Sequence, residues 1–284
     1  MKTGNWKQRY IVKSQQMNIE NITRHLVGLA RETGQYLLDE RQNFDRGVVE
    51  FKGLNDLVSY VDKQAEIKLV AGLKEILPGS AFITEEGTEG SLDWNNLDAN
   101  TPYWIIDPLD GTTNFVHGLP IFAISVGLLL NGKLIVGCVH DPNRNECFYA
   151  WENGGAWCND KQIHVAPVAE LQGCLLATGF PYFNFSGIQK YLNTIHEFMQ
   201  KCHGLRRMGS AAIDLAYVAS GRFEGFFEYN LNPWDVAGGM VIVREAGGTV
   251  TDFSGQDNAL FGREIVAAGP AHAEIQQVIA ENWK

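Results

Sequence analysis

The stretch Trp104-Ile105-Ile106-Asp107-Pro108-Leu109-Asp110-Gly111-Thr112-Thr113-Asn114-Phe115 constrains this chain more than any other. It opens as an apolar, β-branched run, the pattern of a buried strand. It then breaks sharply into two carboxylates three residues apart, followed by Gly-Thr-Thr-Asn. Pro108 pushes Asp107 toward extended backbone and fixes its own φ, so the turn is stiff. Two carboxylates held rigidly at a strand end suit a hard divalent cation such as Mg²⁺, which prefers oxygen ligands. Gly111, Thr112 and Thr113 follow where the strand gives way to a helix, a place that offers backbone N–H groups and hydroxyls to an anion. The same residues also fit a plain turn in which Asp or Thr caps a helix, and the rest of the chain has to decide between the two.

Upstream, Ile19, Ile22, Leu26, Leu29, Ala30, Thr33, Tyr36 and Leu37 recur at helical spacing. His25 is expected there as a partly buried packing residue. Val48–Lys52 reads as a short strand. A second helix is expected from Asp62 to about Leu77, with Ala65, Leu69, Leu73 and Ile76 on one face and Pro78-Gly79 as its stop. Ala81–Thr84 reads as a strand running into Glu85-Glu86-Gly87, and residues 88–102 as a loop.

Downstream, Asn131-Gly132 between Ile121–Leu130 and Lys133–Val139 is a strong hairpin signal. With Glu146–Trp151 and Ala156–Cys158 it predicts an antiparallel meander. Leu175–Thr178 is a strand, Ile188–Cys202 and Ala211–Ser220 are helices, and Phe223–Tyr229 is an aromatic strand. Asn232-Pro233-Trp234-Asp235 starts a helix that reaches Ala246. Val250 and Ile265–Ala268 are strands, and Ala271–Trp283 is a last helix. The fold class that follows is layered α/β or α+β with sizeable sheets. We expect a flexible extension over residues 1–17, an N-terminal half over 18–165 and a C-terminal half over 166–284, the two halves forming one catalytic unit.

Totals narrow the functional classes. A net charge of −10 on 284 residues opposes non-specific nucleic-acid binding. No apolar run approaches the roughly 18 residues a membrane helix needs. Five cysteines without a C-x-x-C pair suggest reduced thiols and a cytoplasmic protein. Residues 1–17 carry Lys2, Lys7, Arg9 and Lys13 and no acid, but lack the apolar core of a signal peptide.

Glu85, Asp107, Asp110 and Asp235 each fall at the end of an element, and none has a basic partner at helical spacing. Four such acids in one pocket repel one another unless cations join them. Trp104–Phe115 and Trp234–Gly248 resemble the two signatures of the inositol monophosphatase family. The resemblance extends to Phe82–Gly87 and Arg206–Ala212, and covers the chain from about Ile19 onward. Arg206–Ala211 and Thr178-Gly179-Phe180-Pro181 look more like the bacterial branch than the animal one.

The resemblance implies an αβαβα sandwich and two to three Mg²⁺ ions. Glu85, Asp107 and the Leu109 carbonyl would hold one ion; Asp107, Asp110 and Asp235 a second; Glu85 and water a weaker third. It further implies a catalytic set of Glu85, Thr112 and Asp62, in which Thr112, bonded to Asp62, orients the attacking water. Gly111, Thr112 and Thr113 would cradle the phosphate, beside Leu109 and Asp235, and Lys52 would lie near the water network. Arg206, Gly209, Ser210, Ala211 and Glu228 would meet the alcohol. The activity implied is Mg²⁺-dependent hydrolysis of myo-inositol monophosphates by a lithium-sensitive homodimer. The rival substrates are 3′-phosphoadenosine phosphate, fructose 1,6-bisphosphate and histidinol phosphate; the rival class is a regulatory role in transcription complexes.

Overall fold

The apolar repeat that begins at Ile19 forms helix α1 (Ile19–Gln42), capped by Asn18, whose side chain accepts from Asn21 N. Ile22, Leu26, Ala30 and Leu37 bury one stripe, whereas His25 lies at its flank and is exposed, so the packing role expected for it is corrected. Helix α2 (Tyr60–Ile76) starts two residues before the expected Asp62, because Ser59 and Asp62 close a capping box around its first turn. The computed structural model describes residues 17–44, 50–53, 56–90, 94–182 and 184–284. The extension expected over residues 1–17 therefore lies, Met17 apart, outside the described residues.

Strands β1 (Glu50–Gly53) and β2 (Asp56–Val58) pair antiparallel as a small ribbon. A seven-stranded sheet follows in chain order: β3 (Ala81–Thr84), β4 (Tyr103–Asp110), β5 (Ala123–Leu130), β6 (Lys133–Asp141), β7 (Glu146–Trp151), β8 (Ala156–Cys158) and β9 (Lys161–Ile163). Only its β3–β4 pair is parallel; the rest is the meander the sequence predicts. Asn131 and Gly132 turn the β5–β6 hairpin at φ 53° and 74°, the left-handed pair that a type I′ turn requires. Between β4 and β5 lies the short helix α3 (Thr112–His117).

The second sheet runs in the order β11-β10-β12-β14-β13. Its strands are β10 (Leu175–Thr178), β11 (Gly204–Arg206), β12 (Gly225–Tyr229), β13 (Thr249–Thr251) and β14 (Glu264–Ala268). The remaining helices are α4 (Ile188–Lys201), α5 (Ala211–Ala219), α6 (Pro233–Glu245), α7 (Ala259–Gly262) and α8 (His272–Asn282). Three apolar clusters fill the spaces between layers. One joins α1 and α2 to the large sheet, the second joins both sheets to α5 and α6, and the third joins the small sheet to α4 and α8. The result is the expected αβαβα order.

Strand β5 is buried along its whole length. Ile124, Val126, Leu128 and Leu130 face α1 and α2, while Ala123 and Leu129 face the central helices. On the central side two glycines stand opposite each other, Gly127 on β5 and Gly137 on β6. A Cβ on Gly137 would fall 2.3 Å from Gly238 O, and one on Gly127 2.7 Å from the Ala237 Cβ. Helix α6 thus rests with its backbone directly on the sheet. Ser125 Oγ adds a bond to Trp234 O at 3.2 Å. Since Ser125 is the register partner of Asp107, this close seat carries Asp235 to the end of β4.

Candidate active site

Strand β4 does not stop at Asp107, as the break in the sequence pattern suggests. It continues to Asp110 through an irregularity between the Asp107–Ser125 and Asp110–Ala123 pairs. Pro108 has no N–H for the ladder, so the strand bulges there. Leu109 N turns back to donate to Asp107 Oδ1 at 2.9 Å. Gly111 then takes φ 97° at the start of α3. Little room surrounds it: a Cβ there would lie 3.0 Å from Ile121 O and 3.2 Å from Gly209 O.

Glu85, Asp107, Asp110 and Asp235 line one pocket, together with Leu109, Gly111, Thr112, Thr113, Gly209, Ser210, Ala211 and Glu228. Fifteen positions were expected at this site on sequence grounds, and these twelve line the pocket; the other three are Asp62, Lys52 and Arg206. The Arg206 side chain is exposed, its Nη1 donates to Leu205 O, and it is not among the residues that line the pocket. Arg207 lines the pocket instead. Asp62 stands just behind, fully buried, and Thr112 Oγ1 lies 2.9 Å from its Oδ1 and 3.0 Å from Leu109 O. Asp62 Oδ2 accepts from Ser59 N at 2.9 Å and Ser59 Oγ at 2.7 Å. The Lys52 side chain lies outside the described residues.

Each acid is anchored by the element that carries it or by the one it faces. Asp110 Oδ2 accepts from Ser210 Oγ at 2.6 Å and from Ala212 N at 2.7 Å, both in the first turn of α5. Asp235 Oδ2 accepts from Asn232 N at 2.7 Å in a second capping box. Glu85 N continues the β3–β4 pairing to Ile106 O at 3.2 Å. The loop after it is pinned by Glu66 of α2, a residue the sequence reading passed over. Its buried carboxylate accepts from Glu86 N at 2.7 Å, Thr88 N at 2.8 Å and Thr88 Oγ1 at 2.7 Å.

The electrostatics show how closely the acids stand. Burial holds the Asp107 carboxyl well above its ordinary range, and Glu85, Asp110 and Asp235 push it further in the same direction. Burial raises Asp110 to about 6 against the bonds from Ser210 and α5. Among the described residues, no three His, Cys, Asp or Glu side chains are already drawn into a metal-holding group. The donor chemistry nevertheless fits Mg²⁺: four carboxylates and a carbonyl, all hard oxygen.

The pocket's other end is built by residues the sequence left unassigned. Gly179, Phe180, Pro181, Tyr182, Asp214, Asn230 and Leu231 line it. The Arg207 guanidinium lies 5.8 Å from both the Phe180 and Tyr182 ring centres and donates to Tyr182 Oη at 2.9 Å. Glu228 packs so close to Gly179 that a Cβ there would fall 2.1 Å from its oxygens. Burial holds Glu228 well above its usual range, with Arg207 opposing. Asn114 ties α3 to this end, its Nδ2 donating to Ile121 O at 2.8 Å and Met208 O at 3.0 Å.

A family model described as the inositol monophosphatase family matches residues 18–284. A putative Nus factor SuhB of Neisseria meningitidis serogroup B is 47% identical over 242 residues, spanning 85% of this chain and 90% of that protein. The structure of the extragenic suppressor protein suhB from Bartonella henselae superposes with a TM-score of 0.81 at 37% identity, over 90% of this chain and 97% of that one. An IMPase from Thermotoga maritima gives 0.78 at 37%, over 90% and 95%.

Proposed function

Because the chain belongs to the inositol monophosphatase family, we propose that it hydrolyses myo-inositol monophosphates to inositol and phosphate with Mg²⁺ in the acidic end of its pocket. One observation carries the reading. Glu85, Asp107, Asp110 and Asp235, from three separate segments, line the same pocket as the Gly111–Thr113 helix start and Glu228. A phosphate monoester joined to a polyol has this polarity, anionic at one end and rich in hydroxyls at the other.

Glu85, Asp107, Asp110, Asp235 and the Leu109 carbonyl would hold the ions. When bound, Mg²⁺ supplies neutralisation at the phosphoryl and departing oxygens and makes water more acidic. The chain's own groups do the positioning. The start of α3 offers its N–H groups and the Thr113 hydroxyl to the phosphoryl oxygens. Thr112 holds the attacking water in line and passes proton density toward Asp62, whose carboxylate it reaches at 2.9 Å. Glu228 accepts from the alcohol's hydroxyls. No cysteine or histidine nucleophile takes part.

The test is phosphate release from inositol 1-phosphate, 3′-phosphoadenosine phosphate, fructose 1,6-bisphosphate and histidinol phosphate, each with and without Mg²⁺. The reading expects Mg²⁺-dependent turnover with the highest kcat/KM on inositol 1-phosphate, and inhibition by Li⁺. No release from any of them, or preference for another ester, contradicts it.

A relative named as a Nus factor favours a second role, docking on transcription components. Pull-down of polymerase components by a metal-site variant would separate that role from catalysis. The pairing of two chains into a homodimer is part of the same proposal, and sedimentation analysis tests it. Among the described residues no helix is long and apolar enough to cross a membrane.

A further inference from the structure

Helix α5 has the sequence Ala-Ala-Ile-Asp-Leu-Ala-Tyr-Val-Ala and is buried from end to end. Asp214 is its one charged residue, and it is 1% exposed. An acid in a helix's first turn is ordinarily explained by the macrodipole, but that explanation suits a solvated side chain. Among the described residues Asp214 Oδ1 has no hydrogen-bond partner, and the guanidinium of Arg207 is engaged with Tyr182 rather than with this carboxyl. A buried carboxyl oxygen without a partner is costly unless something else satisfies it.

Its position says what that partner is. Asp214 lies one turn beyond Ser210 and Ala211, and all three line the pocket, together with Glu228. The first turn of α5 grips Asp110 at the acidic end. One turn further on, the same helix brings Asp214 to the lining of the same pocket, which also holds Glu228. Burial holds the Asp214 carboxyl well above its ordinary range, and Glu228 pushes it further in the same direction.

We propose that Asp214 is a specificity-determining residue, whose carboxyl takes a hydroxyl of the substrate's alcohol half beside the one held by Glu228, so that the pocket selects phosphate esters of polyols with adjacent hydroxyls. The proposal rests on the phosphatase reading above. It predicts that two neighbouring hydroxyls are recognised together, and that an ester of an alcohol lacking them forgoes this contact.

The experiment compares wild type, Asp214→Asn and Asp214→Ala on inositol 1-phosphate and on 4-nitrophenyl phosphate, whose leaving group carries no further hydroxyl. For Asp214→Ala, kcat/KM should fall roughly tenfold more on the inositol ester than on the aryl ester, with most of the loss in KM. Asp214→Asn keeps an acceptor and the side chain's shape, and should recover most of the loss. Melting temperature should hold or rise in both variants, since a desolvated acid has been removed. Equal losses on both esters, no loss on either, or a lowered melting temperature in the Asn variant overturns the proposal. If wild type hydrolyses neither ester, the phosphatase reading itself fails.

Discussion

Thr112 Oγ1 stands 2.9 Å from Asp62 Oδ1 although 50 residues separate them in the chain. The bond joins the first turn of α3, beside the acidic pocket, to the first turn of α2, on the outer layer. Asp62 therefore has two duties: it closes the capping box with Ser59 and it orients the hydroxyl of Thr112, which lines the pocket.

Replacing Asp62 by Asn tests the second duty. The amide keeps the shape but not the charge, so kcat on inositol 1-phosphate should fall on the order of a hundredfold with KM little changed. A rise in KM with kcat intact would make the pair a binding device instead.

Asp107→Asn or Asp235→Asn should abolish Mg²⁺-dependent turnover and leave the fold intact by circular dichroism. Mg²⁺ at about a hundred times its Kd should stabilise wild type by about 2.7 kcal/mol, and EDTA should remove that gain. Neither variant should show it. Near-full activity in either would refute the metal assignment.

Glu66 acts through the loop it pins. Glu66→Ala leaves Glu86 N, Thr88 N and the Thr88 hydroxyl without their acceptor. Amide exchange at residues 86 and 88 should quicken, and the Mg²⁺ concentration for half activity should rise, because Glu85 sits on the same loop. Glu66→Gln should restore part of both. Unchanged exchange in the Ala variant would show that other contacts hold the loop.

Asp214 gives a stability prediction with a definite sign. Burial, with help from Glu228 and Asp110 and against Arg207, holds its carboxyl well above the ordinary 3.8. The folded chain keeps this proton at pH values where the unfolded chain has lost it. The stability it contributes is complete below about 3.8 and is withdrawn as pH rises through the folded value. Asp214→Asn has no proton to lose, so its stability should decline less steeply with rising pH than that of wild type. Chemical denaturation across the pH range checks this, and parallel curves contradict it.

How much of this was legible beforehand depended on how local the signal was. The Asn131-Gly132 turn and the amphipathic stripe of α1 are written in a few adjacent residues, and each appears where expected. Strands β9 and β11, of three residues each, carry too little pattern to read. The substitution of Arg207 for Arg206 in the pocket has a simple cause: β11 ends in extended backbone, where neighbouring side chains point to opposite faces. Asp214 reads as one more polar residue in a helix until both sheets close around α5. Glu66 was invisible for a similar reason, since its partners lie 20 and 22 residues away.

The seat of α6 on the sheet is equally non-local. Gly137→Ala would set a Cβ 2.3 Å from Gly238 O. Overpacking there should cost about 1–3 kcal/mol, and the shift of α6 should carry Asp235 away and weaken Mg²⁺ binding with it. Wild-type melting temperature and Mg²⁺ affinity in this variant would show that the close contact is not needed.

The central claim is that four acids from three separate segments form one cation site, and crystals of the full chain soaked in Mn²⁺ test it directly by anomalous scattering. The account predicts peaks among the Glu85, Asp107, Asp110 and Asp235 carboxylates, lost in Asp107→Asn. A map with no peak there, or with its peaks elsewhere on the molecule, would contradict it.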